Sequence, residues 1–401
     1  MHAFHSKRQT ISSTMEWTLS IICMLVVANL YYDQMLLPDL AHTFHLPFQH
    51  IGVVLTVLQL GYTAGLLLIV PLGDRWERKR LIMLSLGCSA LCLFMMTIVH
   101  SFGWLLFFAT LLGFSGFAAQ MIIPYLASTL VAPRKSAAIS KCLTGIFLGT
   151  LLGRLSGGWI GQLWGWTAVH DVAAIALLIG MIIVYIYLPT DYALKEPSYV
   201  RIMSSLWTLI RTEPILRETM WIGAITFTVF NIFWAPLSHL LHQAPYDLNS
   251  GMASNFGLIG MAGALAAGFA SKLPNRVHIR YWNMFALGLM LISFIVLSIP
   301  WNQLWILIAV TFVLDIGSRM NMSLNQARLY QLAPAYHSRL NSIYMVSYYI
   351  GGAIGSYIGT TVAASYHFPT LALIAILLLC IGLLSIYVHI VRDANAESVT
   401  K

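Results

Sequence analysis

The chain has 401 residues, 59% of them Ala, Val, Ile, Leu, Met, Phe, Trp, Tyr or Cys and only 9% charged, with a formal net charge of +8. Soluble domains carry about 25% charged residues, so a water-soluble globule is excluded and lipid is the solvent that this much apolar surface requires. The apolar runs are helix-length, unlike the alternating ten-residue strands of an outer-membrane barrel, so the expected fold is an all-α membrane protein.

In chain order, stretches of mainly apolar residues place twelve transmembrane helices. The first six run over approximately 15–37, 48–71, 80–99, 102–131, 137–161 and 167–189. The first of these follows Lys7 and Arg8, has the length of a span and lacks a small-residue cleavage site, so it reads as a retained helix and not a signal peptide. A polar segment, 190–217, carries Asp191, Lys195, Glu196, Arg201, Arg211, Glu213 and Arg217. The second six spans run over approximately 218–243, 249–272, 279–299, 302–332, 337–363 and 368–391. The expected organisation is a six-helix bundle over 1–189, a linker over 190–217 and a second six-helix bundle over 218–401.

Charge then orients the chain. Of 22 Lys and Arg residues, 20 fall on one side of this topology, and the other two, Arg154 and Arg319, lie inside spans. The opposite loops hold no Lys or Arg but carry His42, His45, His50, His100 and His367. By the positive-inside rule both termini and the linker are expected in the cytoplasm, and the basic excess is an orientation signal with no nucleic-acid partner implied. All five cysteines sit in apolar runs, so no disulfide framework is expected.

The halves repeat. At an offset of 202 residues, Gly149, Gly153 and Gly157 match Gly351, Gly355 and Gly359, and at 198 the stretch Ala64-Gly65-Leu66 has the small-residue texture of Ala262-Gly263-Ala264. Two bundles related in this way are the parallel-repeat arrangement of secondary transporters, with a substrate path between them.

The loop after the second span reads Val70-Pro71-Leu72-Gly73-Asp74-Arg75-Trp76-Glu77-Arg78-Lys79-Arg80. It resembles the signature of the major facilitator superfamily at Leu72, Asp74, Arg75, Arg78 and Lys79, with Val70 and Glu77 where that family carries glycines. In the fifth span Gly149-x-x-x-Gly153-Arg154-x-x-Gly157-Gly158 is similar to the antiporter motif of the family's bacterial drug:proton efflux branch, with Arg154 in the proline position. The resemblance implies twelve helices in two bundles, alternating access, function as a monomer, a gate at Asp74, Arg75 and Arg78, and a close helix crossing at Gly149, Gly153, Gly157 and Gly158.

Charges inside spans are costly, and each is a functional candidate. Asp33 and Arg154 each lie roughly 25 Å along their helices from the cytoplasmic side at 1.5 Å per residue, so they are expected to pair or share a pocket, with protonation of Asp33 coupling to transport. Asp315 and Arg319, four apart on the tenth span, are expected to neutralise each other there. Asn29, Tyr32, Gln34, Gln120, Phe230, Trp234, Asn321, Asn325 and Tyr348 are candidates for a cavity that takes a polar or ring-bearing molecule.

No phosphate-cradling G-x-x-x-x-G-K-[ST], G-x-S-x-G or H-E-x-x-H is present, which speaks against an ATP-driven pump and against the familiar intramembrane enzymes. His42, His45 and His50 lack the spacing and co-ligands of a metal site, so neither metal nor other cofactor is expected. The resulting expectation is a non-enzymatic secondary transporter of a bacterial inner membrane, partnered by protons, membrane lipid and a small-molecule substrate. Proton-driven export of an organic or amphiphilic molecule comes first; a sugar or metabolite transporter is the alternative, and a membrane sensor a more distant one.

Overall fold

The structure is a computed structural model that describes residues 11–130, 134–190, 198–260, 279–299, 303–332, 337–364 and 368–399. Among these residues ten helices are long and apolar enough to cross a membrane, and no strand occurs. The expected eighth span falls partly on residues 261–278, outside the described residues.

The first span is two helices. α1 (Ser13–Ala28) starts at Ser12, whose hydroxyl accepts from the Met15 amide, and gives way at Asn29–Tyr31 to α2 (Tyr32–Phe44). At the break Leu30 and Tyr31 donate to Val27 and Ala28 three residues back, a tightened turn that ends the regular ladder. After α3 (Phe48–Ile51) come α4 (Val53–Leu68), a short 3-10 turn (Val70–Asp74) and α5 (Arg78–Ile98). The fourth span is also cut, into α6 (Phe102–Ser115) and α7 (Ala118–Thr129). Ser85 of α5 repairs that cut: its hydroxyl donates to the Ser115 carbonyl and accepts from the Ala118 amide, which lipid could not satisfy. α8 (Arg134–Trp164) and α9 (Trp166–Tyr187) complete the first half.

Between the halves lies α10 (Tyr199–Thr212), whose Ile202, Leu206 and Leu209 are buried while Val200 and Trp207 are exposed. The second half contains α11 (Pro214–Trp234), α12 (Leu237–His242), α13 (Ser250–Ser254), α14 (Ile279–Leu297), α15 (Leu304–Tyr330), α16 (His337–Ala363) and α17 (Phe368–Val399). The seventh span is thus interrupted at Ala235–Pro236, as the first is at Asn29–Tyr31.

Glycines set the main helix crossings in both halves. A Cβ on Gly153 would meet the Ala28 carbonyl oxygen at 2.8 Å and its Cα at 3.0 Å, and Gly149 and Gly157 face Met24 and Tyr32 in the same way. α8 therefore packs backbone to backbone along the broken first span. In the second half Gly351, Gly355 and Gly359 of α16 lie on Ala224, Thr228 and Ile232 of α11. Without a hydrophobic driving force in lipid, such close approach is what dispersion needs to hold helices together. Gly158 turns the other way, onto Ser254 of the second half.

Among the described residues Arg78, Arg134, Glu218 and Arg328 mark one end of the bundle, and His42, His45, His50, His239 and His242 gather at the other. At the histidine face the halves are closed on each other. Phe48 stacks on His239 with centroids 3.7 Å apart, Ser250 Oγ donates to Asp39 Oδ2 at 3.1 Å, and the Gly251 amide donates to Gln162 Oε1 at 3.0 Å. Pro38 has no N–H for the Gln34 carbonyl four residues back. Ser238 Oγ of the opposite half donates to that carbonyl at 2.8 Å. A helix defect in one half thereby becomes a tie to the other.

Candidate functional site

Near the middle of the bundle the charges expected from sequence are present and buried, but their partners differ from expectation. Asp33 and Arg154 do not form an ion pair among the described residues. Asp33 Oδ1 stands 3.1 Å from Nε2 of His170 on α9, both side chains 1% exposed. Nδ1 of His170 lies 2.9 Å from the Trp166 carbonyl and must donate to it. The Nε2–Oδ1 contact is then acceptor against acceptor unless a proton lies between them, and both Asp33 carboxylate oxygens are buried without a completed hydrogen bond. Sequence position had given Asp33 a depth but no azimuth: the break at Asn29–Tyr31 turns it towards α9.

Freed from Asp33, Arg154 gives its Nε to Gln34 Oε1 at 2.8 Å. Its guanidinium lies 3.7 Å from the Trp234 ring centroid, 4.9 Å from Tyr31 and 5.6 Å from Phe230. Such cation–π stacking stabilises a charge that lipid would penalise. Trp234 belongs to the other half, so the stack crosses the interface. Its indole Nε1 donates to Asp315 Oδ1 at 3.1 Å.

Asp315 and Arg319 do not neutralise each other directly either: no ion pair joins them among the described residues. Arg319 Nη2 reaches across to Thr150 Oγ1 at 3.1 Å, and its guanidinium is 5.7 Å from Phe230 and 5.8 Å from Phe147. One face of Asp315 and one edge of Arg154 remain open: Asp315 Oδ2 and Arg154 Nη2 are buried without hydrogen-bond partners. Asn29 is in the same condition at both side-chain polar atoms, as is Gln34 at Nε2. Tyr32 is buried beside them, and Phe230 stacks on Phe227, which stacks on Tyr348 at 4.0 Å.

The remaining candidates lie elsewhere. Asn321 accepts from Thr226 Oγ1 and from Asn325 Nδ2, and Asn325 accepts from Asn283 Nδ2 at 2.7 Å, a network that ties α11, α14 and α15 within the second half. Gln120 is partly buried on α7, four residues before Pro124. A second buried polar stitch joins the halves: Gln59 Nε2 donates to Asn231 Oδ1 and to Ser356 Oγ, at 3.2 and 2.8 Å. In the loop signature, Arg78 donates to Ser128 Oγ at 2.9 Å, Arg75 is exposed, and Glu77, in a glycine position of the family pattern, pairs with Arg80 at 2.6 Å. The side chain of Asp74 lies outside the described residues.

Two acids that sequence reading passed over anchor the basic face. Glu218 accepts from Nε and Nη2 of Arg280 at 2.9 and 2.8 Å, and from both Nη atoms of Arg328 at 3.0 and 2.7 Å. Glu16 accepts from Arg134 and Lys141, each at 2.7 Å. The two acids are 202 positions apart, the offset of the glycines, and that repeat is the signal that could have found them. His170 offered a signal too, as a titratable residue with Asp171 beside it inside an otherwise apolar run.

The comparisons with known proteins agree with this architecture. The family model described as Major Facilitator Superfamily matches residues 19–310 and 280–401. The "uncharacterized transporter YgaY" of Escherichia coli O157:H7 is 31% identical over 344 residues, 86% of this chain and 87% of that protein. A "probable sugar efflux transporter" of Pasteurella multocida is 26% identical over 363 residues, covering 87% of this chain and 85% of its own. Among solved structures, a bacterial homolog of the human lysosomal transporter Spinster, inward-facing and occupied, superposes with a TM-score of 0.76 at 13% identity, over 94% of this chain and 96% of that one. An all-helical chain with a broken first span, glycine-ridged crossings repeated at one offset and buried charges astride two halves is a multi-pass membrane transporter of small molecules, and it belongs to the major facilitator superfamily.

Proposed function

We propose that this chain exports a small organic or amphiphilic molecule in exchange for protons, by alternating access, as a monomer in a bacterial inner membrane with both termini in the cytoplasm. The observation that carries the reading is the buried Asp33–His170 contact, a carboxylate with no completed hydrogen bond facing an imidazole, set next to Gln34, the partner of Arg154, at the interface of the halves. Bundles 1–189 and 218–401 rock about the 190–217 linker. With the histidine face closed the pair is sealed from that side; parting the Phe48–His239, Asp39–Ser250 and Gln34–Ser238 contacts would hydrate it. A proton gained or lost there changes the charge beside Gln34, and a charge change beside a two-state interface biases the equilibrium between its states. The basic loops support the orientation, and the efflux wording of the Pasteurella relative supports the direction.

A second reading, proton-driven transport of a sugar or other metabolite in either direction, is favoured by that relative's sugar assignment and by the amides Asn29 and Gln34, whose buried polar atoms lack partners.

The test is flux in proteoliposomes of the purified chain under an imposed pH gradient, against a panel of dyes, organic acids and sugars. Wild-type protein is expected to drive at least one of them against its gradient, with collapse on adding a protonophore. Asp33→Asn is expected to leave only downhill exchange. Gradient-driven accumulation by Asp33→Asn equal to wild type would refute the coupling role.

A further inference from the structure

The charges at the interface of the halves do not balance. Three formal charges meet the Trp234–Phe230 stack: Arg154 and Arg319 are positive and Asp315 is negative. Asp33, next to Gln34 in the chain, faces His170 on α9 and makes no ion pair with either arginine among the described residues. A surplus positive charge in the middle of a membrane protein is expensive. Its guanidinium is also held for one kind of contact. The face of Arg154 is covered by Trp234 and its Nε edge is given to Gln34, so Nη2 is left as a donor without a partner on a side chain 1% exposed. Arg319 approaches the same Phe230 ring, at 5.7 Å against 5.6 Å for Arg154. Asp315, fully buried, adds the unpartnered acceptor Oδ2.

We infer that the molecule carried is an organic monoanion: a carboxylate that takes the free edge of Arg154 and the charge of Arg319, with an apolar or aromatic body against Phe230 and a hydroxyl or similar donor for Asp315 Oδ2. A carboxylate matches a guanidinium edge in geometry and cancels the surplus charge, whereas a cation would add to it and a neutral sugar would leave it uncompensated. This inference rests on the transport reading and names the substrate class for the same site.

Equilibrium binding to the purified full-length chain in detergent needs no gradient, so its outcome is separate from that of the flux assay. The probes are three compounds of one shape: 3-phenyllactate, its uncharged amide, and 3-phenylpropionate, which lacks the hydroxyl. Phenyllactate is expected to bind wild-type protein at least tenfold more tightly than its amide and several-fold more tightly than phenylpropionate. Arg319→Gln and Arg154→Gln are expected to abolish the preference for the anion over the amide. Asp315→Asn is expected to tighten binding of phenylpropionate, because it removes the one negative charge and keeps an acceptor for Trp234. A merely structural Asp315 would instead lose affinity in parallel with the arginine variants. Equal or better binding of the amide, no binding of any of the three, or parallel loss in Asp315→Asn overturns the inference. The wild-type comparison decides it even if a variant fails to fold.

Discussion

Glu16 and Glu218 occupy equivalent repeat positions and each clamps two basic side chains, yet removing them should have unequal effects. Glu218 is 5% exposed and its partners Arg280 and Arg328 are 8% and 4% exposed. Glu218→Ala therefore takes the carboxylate away from two buried guanidiniums, and breaking a buried ion pair from one side costs about 3–5 kcal/mol. At the other site Glu16 is itself buried, but the side chains of Arg134 and Lys141 are 47% and 21% exposed and can rehydrate. Pairs of that kind are worth up to about 1 kcal/mol each, so Glu16→Ala should lose no more than about 2 kcal/mol on that scale. Unfolding by SDS titration in mixed micelles, followed by circular dichroism, measures both. Replacing Glu218, Arg280 and Arg328 together with methionine should recover most of the loss, since a buried triad can be exchanged for apolar side chains at little cost. Equal losses at the two glutamates, or a loss under about 1 kcal/mol for Glu218→Ala, would refute the argument that burial of the partners sets the magnitude.

Two further substitutions probe the interface and the helix crossing. Ser238→Ala leaves the Gln34 carbonyl beneath Pro38 without a donor; it should cost about 1–3 kcal/mol and raise thiol labelling of a cysteine placed at Ser250, and unchanged labelling would show that this tie does not hold the histidine face shut. Gly153→Leu drives a side chain into the Ala28 backbone, which has no flexible end to yield, so thermal unfolding should report a loss of about 1–3 kcal/mol or more, whereas Gly288, whose added Cβ meets nothing within 4 Å, should accept alanine without such a loss.

Sequence and structure agree most closely where a pattern is linear. Span positions follow from runs of apolar residues, and the glycine ridges follow from spacing of four on a helix, so close crossings at those glycines were legible, while their partners α1 and α11 came from the structure. Partners of buried charges were not. Asp33 and Arg154 share a depth, but which way each points depends on the turn at Asn29–Tyr31, a local break that apolarity alone conceals. Asp315 and Arg319 have the spacing of a helical ion pair, yet the indole of Trp234 and the hydroxyl of Thr150 take them instead. Asn321 and Asn325 illustrate the same ambiguity, since an amide in lipid is equally satisfied by a neighbouring helix, here through Asn283 and Thr226.

The interruptions in the first and seventh spans have a mechanical consequence. A continuous helix transmits bending from one end to the other; a helix missing a turn of its ladder is a jointed rod, and torque stops at the joint. Each half thus bears a stub on the histidine face, α2 with 13 residues and α12 with 6, clasped to each other where Ser238 holds the Gln34 carbonyl. The stubs form a hatch whose hinges sit beside Asn29 on one side and Trp234 on the other, next to the charges they enclose. Swinging that hatch leaves the Gly149–Met24 and Gly153–Ala28 contacts on α1 in place and moves only the end of the ridge, where Gly157 meets Tyr32 of α2. Most of the crossing can thus stay rigid while the mouth of the path opens.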